Sequence, residues 1–241
     1  MTQNELASGK RVPRAALPGA AQRWLDAALP QDLELPATIR LEQEGSMEIR
    51  GEWSPFTARG IYKAPPLSFN WQARFQILPG VWIVAEDGHR DGQGWGSARL
   101  WGLIPMGKST DPEVLATQLV RNLAELAWLP AFALADPALD WTDAGDSACV
   151  VKSHAGDWEA LVRFEINEAG DIVRATSPAR PYDVPGGYAE APWHYAFSEH
   201  RDFGGVRIPA AGVATFEKPG GDWVYFRGML TSVTYEQAGG K

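Results

Sequence analysis

Between Asp111 and Leu129, five residues that could do chemistry together recur at helical spacing: Val114, Gln118, Arg121, Glu125 and Trp128. They lie well round from a second set, Leu115, Leu119, Asn122, Leu123, Leu126 and Leu129, which marks the face such a helix would bury. Arg121 and Glu125 stand one turn apart, and on an open surface they make only a solvated ion pair. Val114 and Trp128 add apolar bulk to the same stripe, which implies partial cover. Under cover, Glu125 becomes a candidate general acid or base.

The aromatic residues offer a second kind of chemistry. Eleven tryptophans in 241 residues is well above ordinary usage, and strand alternation points Trp71, Trp95, Trp101, Trp158, Trp193 and Trp223 inward. Such rings build either a core or the wall of an apolar ligand cavity. Trp95, Arg99 and Trp101 share a strand face, which would set a guanidinium among indoles as an anion site or a plain stack. In Pro192 to Arg201, Trp193, Tyr195, Phe197, Glu199 and Arg201 fall on one side and His194, Ala196, Ser198 and His200 on the other. Glu199 and Arg201 are then a cavity-rim pair or a structural ion pair.

Other patterns are excluded on physical grounds. Gly102 to Ser109 spells the glycine-rich phosphate loop ending in Gly107-Lys108-Ser109. In that loop the lysine and serine open a helix whose N–H groups hold the phosphates. Here the helix starts later, with Thr110 or Asp111 as cap, Pro112 in the first turn and Glu113 as capping-box acid. His89, His154, His194 and His200 lack metal-ligand spacing, and the first two fall in expected turns. Cys149, the one cysteine, sits in an apolar stretch and reads as a buried, inert thiol. No nucleophile motif or cofactor fingerprint is visible, so no cofactor is expected.

The elements that must position these residues follow from periodicity. Residues 1–16 are polar and aperiodic and read as a loosely held arm, with a half-barrel domain over 17–238. Pro18 opens a short amphipathic helix with Trp24, Leu25, Ala28 and Leu29 on one face. From Thr38 to Leu103 the period is two, with turn signals at Glu44-Gly45, Pro65-Pro66, Pro79-Gly80, Asp87-Gly88 and Asp91-Gly92. The clearest strand runs from Leu67 to Ile77, with Phe69, Trp71 and Phe75 inside and Ser68, Asn70, Gln72 and Arg74 outside. After the helix from Asp111 to Leu129, which Pro130 should end or kink, the last hundred residues return to long hairpins. The class is α+β: a large curved antiparallel sheet, a half-barrel, wrapped around a central helix.

Composition limits the partners. With 22 basic and 30 acidic residues the formal charge is −8, and no segment concentrates the basic residues, so nucleic acid and anionic membranes are not expected partners. No apolar run could span a bilayer, and residues 1–10 lack the apolar stretch of a secretory signal, so a cytoplasmic location is the expectation.

Several segments resemble a family of uncharacterised bacterial proteins of similar length: Trp53-x-Pro55-Phe56-x-Ala58, Leu123-x-Glu125-Leu126-x-Trp128-Leu129-Pro130, Pro192-Trp193, Gly205 to Pro209 and Tyr225 to Gly228. That family is similar to the lipoprotein-carrier (LolA-like) folds, and the resemblance implies an incomplete antiparallel barrel around a helix with an apolar cavity. The reading that unites these features is a binding protein for a small apolar or amphipathic molecule. Trp71, Trp95, Trp101, Trp128 and Trp193 would line its cavity, and Arg99, Glu125, Glu199, Arg201 and Arg227 would orient a polar end. The alternative is a cofactor-independent enzyme in the same cavity with Glu125 as acid or base. A third reading is a partner-binding protein using an exposed sheet edge.

Overall fold

The structure is a computed structural model that describes residues 11–238. After a single 3-10 turn at Arg14–Ala16 and helix α1 (Gly19–Ala28), the chain runs through β1 (Thr38–Ile49), β2 (Glu52–Lys63), β3 (Ser68–Leu78), β4 (Val81–Arg90), β5 (Gln93–Leu100) and β6 (Ile104–Ser109). Helix α2 (Pro112–Ala124), a 3-10 turn (Glu125–Trp128) and α3 (Pro130–Ala135) follow. The second run of strands is β7 (Asp140–Asp143), β8 (Ala148–Ala155), β9 (Trp158–Ile166), β10 (Ile172–Val184), β11 (Gly187–Phe203), β12 (Val206–Lys218) and β13 (Gly221–Glu236).

Every pairing is antiparallel, and the order is β6-β5-β4-β3-β2-β1-β13-β12-β11-β10-β9-β8-β7. Two meanders are therefore joined where β1 meets β13, with Thr38 opposite Glu236. Gly45 makes that seam possible, because a Cβ there would lie 2.1 Å from the carbonyl oxygen of Arg227. The sheet curls until α2 packs against β4 and β5 on one side and β8, β9 and β10 on the other. This is the expected α+β half-barrel around a central helix. The leucine face of α2 fills the trough, with Leu119 and Leu123 buried and Leu126 and Leu129 continuing it. Each such leucine contributes about 1.5–3 kcal/mol of burial.

Several expectations need correction. Glu44-Gly45 and Asp87-Gly88 are not turns; they lie inside β1 and β4, and the first hairpin turns at Arg50-Gly51, both with positive φ. His89 and His154 are likewise strand residues, and His89 is buried. The central helix is broken: α-helix gives way to a 3-10 turn at Glu125 and ends at Leu129, since Pro130 cannot donate the next hydrogen bond. Asp111 holds the cap position without capping; its carboxylate accepts from Ser109 Oγ at 2.9 Å and Tyr188 OH at 3.2 Å.

Phe69, Trp71, Phe75, Trp193 and Phe197 are buried as their alternation requires. Ser68 is buried too, beside Leu67, whose N–H donates to Asp136 at the end of α3. Asn70 is half-buried and donates to Glu86, while Ile77 is exposed at the hairpin tip. Of the expected arm, residues 1–10 lie outside the described residues. Beyond them, the Val12 N–H donates to Leu134 O, and Arg14 pairs with Asp26 at 2.7 Å.

Candidate functional site

A cavity of about 640 Å³ lies between α2 and the concave face of the sheet. Its floor is the helical stripe. Val114, Gln118, Arg121 and Glu125 all line it, because residues three or four apart share a helix face and this face is turned away from the leucines. Its walls come from both meanders: Trp71, Asp87, Gly96 to Ala98 and Gly107 to Ser109 on one side, Arg180, Trp193, Tyr195, Phe216, Trp223 and Tyr225 on the other.

The floor carries a charge cluster. Arg121 Nε donates to Glu125 Oε1 at 2.8 Å and its Nη1 to Asp87 Oδ2 at 3.0 Å, while its plane lies 4.6 Å from the Trp71 ring centre. Burial alone would lower the Arg121 pKa, but Glu125 and Asp87 outweigh it and hold the guanidinium charged. Burial raises the pKa of Asp87 in spite of Arg121. Glu125 is buried, and its Oε2 has no hydrogen-bond partner in the protein; the same is true of Gln118 Oε1 and Arg180 Nε. Arg180 stacks 4.6 Å over Trp193, and its Nη1 donates to Tyr225 OH at 2.6 Å. Such a site can hold an apolar body against rings and meet a polar end with few groups.

Of the residues assigned to a ligand or catalytic site from sequence, Trp71, Trp193 and Glu125 line this cavity, as do Val114, Gln118 and Arg121 of the helical stripe and Tyr195 and Trp223 of the inward strand faces. The others are placed elsewhere. Trp128 is buried behind the lining, edge-on to Tyr195 and Phe197. Trp95 packs on Gly88, on the alternate face of β5 from Gly96 and Ala98. Arg99 faces Glu86 at 3.8 Å, and Trp101 stands exposed in the β5–β6 turn, where its indole N–H donates to Gly80 O at 3.0 Å. Trp95 and Arg99 do share a face, since the β4–β5 register is unbroken from Gln93 to Leu100, but that face is the outer one, and positive φ at Trp101 takes the third residue out of the strand. Glu199 also has positive φ, so alternation fails there. Glu199 and Arg201 are exposed and bonded to each other, and His200 turns in to Ile172 O. Arg227 lies on the outer face, 4.4 Å over the Trp53 ring, opposite its inward neighbour Phe226.

Asp87, Arg180 and Tyr225, which spacing in the sequence did not single out, complete the site. Asp87 was hidden by the turn signal of Asp87-Gly88. Arg180 follows a register shift between Ser177 and Arg180, for which the two prolines of Ser177-Pro178-Ala179-Arg180-Pro181 were the available signal.

Cys149 is buried, and burial pushes its thiol up to about 12, which makes it inert. Lys108 and Ser109 end edge strand β6, short of the helix at Pro112, so the phosphate-loop geometry is not formed. Among the described residues no cluster of three metal-ligating side chains occurs, and no helix is long and apolar enough to cross a membrane.

Three solved structures are similar over most of their length at low identity. A putative outer membrane lipoprotein-sorting protein domain from Vibrio parahaemolyticus is 10% identical, covers 95% of each chain and has a TM-score of 0.48. A LolA superfamily protein from Nitrosomonas europaea is 12% identical over 90% of this chain and 92% of its own, with a TM-score of 0.44. A DUF1329 family protein from Desulfovibrio piger is 10% identical over 95% of each chain, with a TM-score of 0.46. No functionally curated protein matches the sequence. Residues 11–228 match a family of unknown function, DUF6544, and the chain belongs to that family.

Proposed function

We propose that the protein binds a small apolar or amphipathic molecule between α2 and the concave sheet. The observation that carries this reading is the cavity itself: about 640 Å³, walled by Trp71, Trp193, Tyr195, Phe216 and Trp223, with its charges gathered at Asp87, Arg121, Glu125 and Arg180. A core would fill that volume with side chains. Native mass spectrometry of the purified protein tests for a copurified molecule. Titration with the neutral dye N-phenyl-1-naphthylamine tests the cavity directly. Ala98→Trp, at a half-buried lining position, should weaken dye binding by about tenfold by filling the space. Equal dye binding by both proteins, with no copurified molecule, refutes the reading.

One observation favours a second reading, catalysis on the bound molecule: the buried Glu125 keeps one carboxylate oxygen without a protein partner. Glu125→Gln separates the two. A binding anchor predicts affinity for the copurified molecule weakened by about 1–3 kcal/mol. A general acid or base predicts retained binding with turnover lowered by roughly 10² to 10⁴. If neither changes, Glu125 only positions Arg121.

A further inference from the structure

The hairpin tips β3–β4 and β5–β6 lie side by side at the rim of the cavity and expose large apolar side chains to solvent. Leu103 is 80% exposed, Leu78 61%, Met106 54% and Ile104 52%. Soluble surfaces rarely gather such residues in one place without a partner. The tips are locked together, because Trp101 N–H donates to Trp82 O at 2.8 Å and its indole N–H to Gly80 O at 3.0 Å. Trp101 also holds a left-handed conformation, φ 54°, ahead of Gly102 in the three-residue β5–β6 turn, a position where asparagine or aspartate would fit with less strain. A bulky indole kept there at that cost, with its polar atom already satisfied, has its place because of what its ring touches.

We propose that these two tips form a peripheral docking surface for an anionic lipid bilayer. Charge separates this occupant from the others. The chain carries −8, yet the strands bearing the tips present Arg74, Arg99 and Lys108 outward against a single outward acid, the half-buried Glu86 at 3.8 Å from Arg99. The exposed acidic Glu52, Asp183 and Asp222 lie on other hairpins of the same rim. The basic residues are scattered in sequence and gathered only by the β3–β6 meander, which is why composition alone argued against a membrane. Strand addition by a second copy is disfavoured at β6: Pro105 lacks an N–H, and the register shift between Ala98 and Arg99 bends this edge. Side-chain insertion needs neither donor nor regular edge. Indole, leucine and methionine seated at the headgroup level, with guanidinium and ammonium groups beside them, are the chemistry of an interfacial anchor. The same strand brings Gly107 and Ser109 to the cavity lining while the Lys108 side chain stays exposed, so a docked protein would hold its cavity mouth beside the bilayer surface.

Cosedimentation of the full chain with vesicles of phosphatidylcholine, alone or mixed with phosphatidylglycerol, tests this. Binding to the mixed vesicles is expected to exceed binding to phosphatidylcholine by about tenfold or more and to weaken as salt rises. Leu103→Asp combined with Met106→Asp should lower it by roughly a hundredfold. Both positions are exposed, so the urea midpoint of the variant should stay at the wild-type value, which separates lost docking from lost folding. Arg99→Gln should reduce the preference for phosphatidylglycerol alone. Three results overturn the proposal: no sedimentation of the wild type with mixed vesicles, equal sedimentation of the double variant, or a concentration-dependent dimer that the same variant dissolves, which would give the patch to a second copy.

Discussion

The cavity wall contributed by β10–β13 is a stack of rings, and the wall contributed by β3–β6 is made largely of small side chains and charge. On the first, Trp193, Tyr195, Phe216, Trp223 and Tyr225 follow one another, with Arg180 4.6 Å over Trp193 and Lys218 3.5 Å over Trp223. Trp193 and Arg180 both donate to Tyr225 OH, at 3.0 and 2.6 Å, so the polar edges of the stack are tied to each other. On the second, Trp71 is the only ring in the lining, and Asp87, Gly96, Ser97, Ala98 and Gly107 leave room around it. One sheet thus supplies a fixed apolar shape on one side and space with a buried charge cluster on the other. The difference can be broken from either side.

The largest effect is expected where the open wall meets the floor. Arg121 lies between the half-buried Asp87 and the buried Glu125, and its removal leaves the Glu125 carboxylate without its counter-ion and facing a second carboxylate. Arg121→Met should cost about 3–5 kcal/mol in urea unfolding, the usual penalty for an uncompensated buried charge. Adding Asp87→Asn and Glu125→Gln should recover most of it, since a neutral cluster of similar volume no longer needs the cation. A small loss in the single variant would mean that water reaches the cluster freely.

What the sequence made legible differs between the walls for a physical reason. Trp193, Tyr195 and Phe197, like Phe69, Trp71 and Phe75, lie on strands regular enough that period two places each side chain. The helix stripe was equally readable, and four of its five members line the cavity. Legibility ended wherever the backbone left its period, at the register shift beside Arg180 and at Glu199 and Trp101 with positive φ, and at Asp87-Gly88, where a turn-like dipeptide sits in a strand because pairing on both sides overrides its local preference. On β5 the period held, but the side carrying Trp95 and Arg99 faces out. One such break decides the fate of every side chain after it, so Glu199, Arg201 and Trp101 fell outside the cavity that their spacing had assigned them, while Arg99 fell outside it because the whole face was assigned to the wrong side.

A methyl group added to each wall gives the next test. At Gly212 a Cβ would lie 2.0 Å from Tyr195 Cε1, and Tyr195 has no room to swing away, with Phe197 stacked 4.7 Å from it and Trp128 edge-on at 5.5 Å. Gly212→Ala should therefore destabilise by about 1–3 kcal/mol through overpacking. At Gly107 nothing lies within 4 Å of the same added atom, and Gly107→Ala should change stability by less than about 0.5 kcal/mol. Equal effects at the two sites would remove the distinction between a packed wall and an open one.

The open side also carries a proton-dependent weakness. His89, opposite Phe69 and Gly94, is buried with neither ring nitrogen partnered, and burial lowers its pKa below the ordinary 6.5, against a smaller opposing pull from Asp91. The unfolded chain then takes up a proton near pH 6.5 that the folded protein refuses. Stability is full above that pH and falls as the pH drops through it toward the lower folded value. His200, whose pKa burial also lowers, adds to the same slope, so the wild-type profile alone does not isolate His89. Replacing His89 with leucine should flatten part of the loss between pH 7 and pH 5, measured as urea midpoints. An unchanged slope would assign the whole effect to other groups.

The smallest expected effect is none at all. Lys108 and Ser109 end the phosphate-loop pattern and line the open wall, which is where a nucleotide would have to sit. Geometry opposes it: both residues are in edge strand β6, Ser109 Oγ donates to the Asp111 carboxylate at 2.9 Å, and Asp111 sets a negative charge at the start of α2 where a phosphate would need bare N–H groups. A nucleotide present at a hundred times its Kd would stabilise the folded chain by about 2.7 kcal/mol, a shift that thermal unfolding resolves easily. ATP or GTP with magnesium should leave the melting temperature where it is, in the wild type and in Lys108→Ala alike. A rise that disappears in Lys108→Ala would show that the open wall rearranges to bind phosphate, and the contrast between a fixed wall and a merely spacious one would become a contrast between a fixed wall and a mobile one.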